Sequence, residues 1–343
     1  MGFGASSVEL PAEVRRLVGA NDQLVGVERV TLEEGTGRGT SMLVVRNPAG
    51  ISFEVLVDRA MDIGNADAAG IPLAWRSPRG RAASWRHEPT STGWTRTFGG
   101  GLLTTCGLAA TGAPSTVAGV DHGLHGRIGH LPAENVAWRL VDDEGDPAIE
   151  ITGDVVEAAL GEATLRLHRT IVASCSEPRV RIRDVVRNDS HAVTGHMFRH
   201  HLNLGYPLVA EGTVVSANAT VFEDRDLAGE PRESLPLRLK VADGVVPETV
   251  LYARPEPGVT AGEVTVTGAD RTRTLRVTFG TGTFPLLVLW RDASAGVNVL
   301  AVEPSTSRDG GRARAQVDGE VVELAPGETR EYRTEISLQT TDR

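Results

Sequence analysis

Cysteine is almost missing from this chain. Only Cys106 and Cys175 occur among 343 residues, far apart and in unlike surroundings. That excludes a disulfide framework and a paired-cysteine zinc motif, and two reduced, partly buried thiols are expected. A basic excess is missing too. Lys and Arg total 35 against 45 Asp and Glu, for a formal net charge of -10, and the arginines are scattered between carboxylates. Such a chain is a poor electrostatic match for nucleic acid or an anionic membrane surface. No apolar run approaches the roughly 20 residues that a membrane helix needs. The N-terminus has no charged segment leading into an apolar core, as a signal peptide would. A cytoplasmic protein with neither nucleic acid nor membrane as partner is expected. Heptads, low-complexity tracts, short-period repeats and the glycine patterns of dinucleotide or phosphate loops are all absent, so no cofactor is expected.

What is present alternates. After one short helical candidate, Ala12 to Val18, the periodic segments repeat every second residue, as half-buried strands do. "SMLVVRN" and "ISFEVLVDR" flank a Pro-Ala-Gly turn and predict a hairpin. "AIEITGDVVEA", "ATLRLHRTIVAS" and "RVRIRDVVRN" follow as strands, the last with Arg179, Arg181 and Arg183 on a wet face. "PLLVLW" and "VNVLAV" are apolar on both faces and predict central strands. The fold class is therefore all-β, with antiparallel sheets packed face to face. Residues 1–30 are expected to form a helical or extended N-terminal segment and 31–340 a single β-sandwich domain. The stretch from Phe98 to His130, rich in Gly, Thr and His, is expected to form long loops at one end, where sites tend to be built.

All nine histidines fall between His87 and His201. One group is His122, His125 and His130 in "HGLHGRIGHLPAE"; the other is His196, His200 and His201 in "GHMFRHHLNLGYP". Alternation puts His200 and His201 on opposite faces of their strand, so only one can face a cleft. Neutral imidazoles are common metal ligands, but no HExxH and no strand-borne HxH with a downstream Glu accompanies them. Hydrogen bonding to sugar or protein is the stronger expectation, with no metal. Glu303 ends an apolar strand before the loop "PSTSRDGG", where a carboxylate is either an acid or base, or a cap on the loop backbone. Asp58, Arg59 and Asp62 interrupt an apolar segment. They form either a structural pair or a cleft-lining guanidinium with its partners. Trp75, Trp85, Trp94 and Trp290 are core candidates, with Trp290 also placed to offer a sugar ring a platform.

"LHGRIGHLPAE", "RHHLNLGYP" and "VLAVEPSTS" together resemble, in order and spacing, segments of the aldose 1-epimerases, or galactose mutarotases. "DRAMDIG", "GIPLAWRSP" and "FGGGLLTTCGL" resemble a bacterial branch of that superfamily, and the likeness spans roughly residues 40 to 335. It implies a large antiparallel β-supersandwich with a carbohydrate cleft and no required metal. It further implies His125 as a substrate-binding histidine, His201 as general acid and Glu303 as general base, on opposite sides of the anomeric carbon. Asn203 follows His201 as in the family. Arg59, Asp62, Arg127 and Trp290 complete the candidate binding residues, and Arg59 or Arg127 would meet the carboxylate of an acidic sugar. The expected partner is a small carbohydrate, with a homodimer left open. Mutarotation requires the acid and base to coexist, and a carboxylate at Glu303 would favour a charged His201. A keto-sugar or sugar-acid epimerase on the same scaffold, or a non-catalytic carbohydrate-binding protein, are the alternatives.

Overall fold

Strand periodicity over most of the chain becomes sheet in the computed structural model, which describes residues 16–47, 49–226 and 233–341. The first five strands pair antiparallel in chain order. They are β1 (Gly26–Thr31), β2 (Ser41–Arg46), β3 (Ile51–Leu56), β4 (Asp62–Ala68) and β5 (Ile71–Pro72). The expected hairpin is β2–β3, with Met42 opposite Leu56. A short β6 (Thr104–Leu108) and a small hairpin, β7 (Ser115–Val117) and β8 (Val120–His122), interrupt the loop region expected between Phe98 and His130. Then come β9 (Glu134–Asp143), β10 (Asp146–Glu157), β11 (Leu165–Ser174), β12 (Arg179–Asn188) and β13 (Thr194–Leu204).

The second half supplies β14 (Val214–Ala217), β15 (Ala219–Asp224), β16 (Leu237–Arg238), β17 (Thr249–Pro255), β18 (Ala261–Thr267) and β19 (Arg273–Gly280). It ends with β20 (Leu286–Asp292), β21 (Val299–Ser305), a helix α1 (Gly311–Asp318), β22 (Val322–Leu324) and β23 (Thr329–Thr340). A nine-stranded sheet runs β16-β14-β18-β19-β23-β12-β11-β10-β9, and a seven-stranded sheet runs β15-β17-β20-β21-β13-β22, with β6 also on β13. The helical candidate Ala12 to Val18 lies mostly outside the described residues, and residues 16–17 form a turn. Among the described residues no helix is long and apolar enough to cross a membrane.

The two large sheets share one apolar core. Ile151, Ile171 and Ile182 from the nine-stranded sheet join Leu289, Leu300 and Val302 from the other. Leu43, Val45, Phe53 and Val55 of the five-stranded sheet enter the same core. That third sheet was not expected, because alternation marks a strand without saying which sheet will cover its apolar face. On the nine-stranded sheet's outer face Arg179 and Arg183 meet Asp146 and Glu331, the wet face expected there.

A polar network is buried within this core. Arg169, with none of its surface exposed, donates to both oxygens of Asp184 at 2.8 and 2.6 Å. It also reaches Asp62 at 3.2 Å and the Thr105 hydroxyl at 2.8 Å. His200 closes the network with Nε2 2.7 Å from Asp184 and Nδ1 2.9 Å from Thr334. One guanidinium faces two carboxyls here, and it balances them unequally: burial raises Asp62 to about 6, whereas Arg169 and His200 hold Asp184 down to about 2.

Candidate active site

Two neighbouring strands of the seven-stranded sheet carry the charged floor of a cleft. Along β13, Phe198, Leu202 and Leu204 enter the core, so alternation sends Arg199 and His201 to the other face. Along β21, Leu300 and Val302 enter the core and Glu303 faces away from it. The antiparallel register pairs Arg199 with Ser305 and Leu202 with Val302, which sets His201 opposite Glu303. Nε2 of His201 lies 3.3 Å from Oε1 of Glu303. The other Glu303 oxygen accepts from Arg199 Nη1 at 2.9 Å. Glu303 thus binds side chains and caps no loop. His200, on the opposite face, is tied into the Arg169 network, as alternation requires.

The surroundings favour neutral forms for both groups. Burial pushes the Glu303 carboxyl up to about 8, against the pull of Arg199 and with the push of Asp309. Burial, then His125 and Arg199, hold the His201 imidazole well below its ordinary value. Burial therefore works against the expected carboxylate–imidazolium pair and favours a carboxylic acid beside a neutral imidazole. Desolvation outweighs the attraction a carboxylate would exert.

His125 enters the cleft from the loop between β8 and β9. Its ring stands edge-on to His201 with centroids 5.8 Å apart, and 4.7 Å from Trp94. Gly112 N–H donates to its Nδ1 at 3.3 Å, and burial lowers its pKa to about 4, which leaves Nε2–H as a donor. The backbone is pinned on both sides: His125 N–H donates to Gly112 O at 2.9 Å and Gly107 N–H to His125 O at 3.1 Å. Gly126 then turns at φ +75°, where an added Cβ would lie 2.3 Å from Ala110 O and 2.4 Å from Gly107 O. Gly126→Ala is expected to destabilise the fold by more than about 1 kcal/mol in urea titration, because strain and backbone clash add.

Aromatic side chains form the walls. Trp94 stacks on Phe98 at 4.3 Å between centroids, and Trp290 approaches His201 at 5.6 Å. Glu248 at the rim accepts from Trp290 Nε1 at 2.8 Å and from Arg225 at 2.7 Å. The cleft encloses about 530 Å³, within the range of small-ligand sites. Trp75 is core, as expected, and Trp94 is buried while lining the cleft. Trp85, expected in the core, is 62% exposed.

The structure does not bring the remaining candidates to this cleft. Arg59 donates to Ala82 O at 3.1 Å and sits 3.2 Å from His130 Nε2. Asp62 accepts from the Thr105 N–H and hydroxyl at 3.0 and 2.6 Å. Both are buried; Asp62 is bridged to Arg169 rather than to Arg59. Arg127 is exposed and does not line the cleft. Asn203 donates to Gly101 O and His201 O, both at 3.0 Å, and so braces the backbone. An acidic sugar therefore has no free guanidinium from Arg59 or Arg127. Among the described residues no three His, Cys, Asp or Glu side chains are arranged to hold a metal ion.

Four charged lining residues are absent from the sequence-based candidates: Arg199, Asp309, Arg225 and Glu248. Arg199 was within reach, because it is two residues before His201 and must share its face. The other three come from loops or strand ends with no periodic signal.

This arrangement belongs to a known class of fold. A candidate aldose 1-epimerase from Klebsiella pneumoniae superposes with a TM-score of 0.80 at 20% identity, over 92% of this chain and 83% of that one. A galactose mutarotase-like protein from Clostridium acetobutylicum gives 0.64 at 11% identity, over 93% and 100%. A galactose 1-epimerase from Lactobacillus acidophilus gives 0.58 at 12%, over 93% and 100%. The fold is the all-β, galactose mutarotase-like supersandwich. Within it the chain belongs to the family described as domain of unknown function DUF4432, whose model matches residues 37–338. A search of curated proteins finds no match.

Proposed function

We propose that this protein interconverts the anomers of a free sugar. The observation that carries the reading is the 3.3 Å approach of His201 Nε2 to Glu303 Oε1 on the floor of an aromatic-walled cleft. The pair sits side by side, whereas the resemblance to aldose 1-epimerases implies an acid and a base on opposite sides of the anomeric carbon. Side by side suits mutarotation, because the two oxygens that exchange protons are bonded to one carbon. Neutral His201 takes the proton of the anomeric hydroxyl while the Glu303 carboxyl donates one to the ring oxygen. The bond between C1 and the ring oxygen breaks, giving an open-chain aldehyde. Rotation about C1–C2 and the reverse transfers close the ring as the other anomer. Each group thus acts as acid in one direction and base in the other. His125 Nε2–H and the walls of Trp94 and Trp290 hold the ring.

The test is anomer interconversion, followed by NMR exchange spectroscopy across a panel of free aldoses. Acceleration of at least one sugar is expected, with no deuterium entering a C–H bond from heavy water. Carbon-bound deuterium would instead identify a keto-sugar epimerase, and calorimetric binding without turnover would identify a binding protein. Trp290→Ala is expected to raise KM about tenfold while changing kcat less, since stacking area serves ground and transition states alike.

A further inference from the structure

One guanidinium in this cleft serves two carboxyl groups. Arg199 Nη1 donates to Glu303 Oε2 at 2.9 Å and to Asp309 Oδ1 at 2.5 Å. Its other nitrogens are also engaged: Nε donates to the Ser305 hydroxyl and Nη2 to Ser307 O, both at 3.0 Å. The guanidinium is buried and cannot turn to solvent. A single buried cation balances one carboxylate well and two poorly. Which carboxyl keeps the negative charge follows from solvation. The Glu303 side chain is 2% exposed and that of Asp309 15%. Water at the cleft mouth therefore favours ionisation of Asp309. We infer that Asp309 is a positioning residue: it takes up the charge of Arg199 and so leaves one proton on the Glu303–His201 pair.

The inference rests on the reading of that pair as the acid and base. Charged and titratable groups face Glu303 from several elements, and of these Arg199 and Arg225 pull its carboxyl down while Asp309 pushes it up. His201 and Arg199 come from β13, His125 from its loop, Cys106 from β6 and Tyr252 from β17. Arg225 follows β15 and is held at the rim by Asp226 and Glu248. Arg199 and His125 hold the Asp309 carboxyl below its ordinary value, against the push of burial, while Glu303 beside the same guanidinium is raised. Tyr252 Oη accepts from the Asp309 N–H at 3.2 Å and fixes the loop that presents it. Without Asp309 the full charge of Arg199 would fall on Glu303, which would then ionise and lose the proton that ring opening needs.

Asp309→Asn keeps the shape and removes the charge. The direct readout is the titration of the Glu303 carboxyl in sugar-free enzyme, by carbon NMR of glutamate-labelled protein, with the signal assigned by its loss in Glu303→Gln. The midpoint, expected near 8 in the unaltered protein, should fall by more than one pH unit in Asp309→Asn. The alkaline limb of the kcat/KM profile should move down with it, and Asp309→Glu should restore both. An unmoved Glu303 midpoint in folded Asp309→Asn overturns the inference. If circular dichroism shows that variant unfolded, Asp309→Ser removes the same charge with a smaller side chain and is read by the same criterion. Because the titration needs no sugar, a protein that turns over no sugar yet shows the shift leaves this inference standing and removes the mutarotase reading. Sugar turnover with no shift does the reverse.

Discussion

Replacing Glu303 by Gln is expected to lower kcat for anomer interconversion by about 10²–10⁴-fold, the usual contribution of a positioned acid or base. His201→Ala should cost a similar factor. The substitution Glu303→Gln preserves shape, and an amide oxygen can still accept from Arg199 where Oε2 does now at 2.9 Å. The cleft should therefore keep its form and KM should change little. What disappears is a group able to give and then retake a proton. Because His201 and Glu303 act as a unit on one shared proton, the double variant should be barely slower than either single one. Polarimetry or NMR exchange on the sugar that the panel identifies measures all three. Full activity in both single variants would remove the pair from the mechanism.

The second large effect lies in the core beneath the site. Arg169→Met is expected to destabilise the fold by about 3–5 kcal/mol, because it strands buried carboxylates without their cation. Asp184 and Asp62 both lean on that guanidinium, at 2.6 and 3.2 Å. Replacing the partner as well, as Arg169→Met with Asp184→Leu, should recover part of the loss, since an apolar pair of similar volume needs no charge compensation. Urea midpoints at neutral pH measure the series, and a loss under about 1 kcal/mol would contradict it. The effect depends on pH in a fixed direction. Arg169 and His200 hold Asp184 down to about 2, against the push of burial, whereas an unfolded aspartate titrates near 3.9. The ion pair's contribution is therefore complete above about pH 4 and is lost as pH falls toward 2. The gap between the unaltered protein and Arg169→Met should narrow as pH falls, beginning near pH 6, where burial makes Asp62 take up its proton, and continuing toward pH 2.

Much of this architecture is legible in the residues one element at a time. The β2–β3 hairpin, the β10 to β12 run and the doubly buried β20 and β21 follow from alternation and turn residues. So does the separation of His200 from His201. The prominence of Glu303 came from a carboxylate ending an apolar strand, and its partner from the likeness around "RHHLNLGYP". Arg59 and Asp62 carried the same local signal, charge within an apolar run. Yet they turned inward to Thr105, His130 and Ala82, because a buried charge seen in sequence gives no hint of which side of a sheet its partners occupy.

The sequence by itself determined the all-β class, the strands and the faces along each strand, because side-chain direction in a strand depends only on parity. Tertiary structure alone decided the register that sets His201 against Glu303 and brings Asp309 to Arg199. It also set the burial that favours the neutral forms of the pair. Those outcomes depend on distance and desolvation between segments about a hundred residues apart in the chain, and no local pattern encodes them.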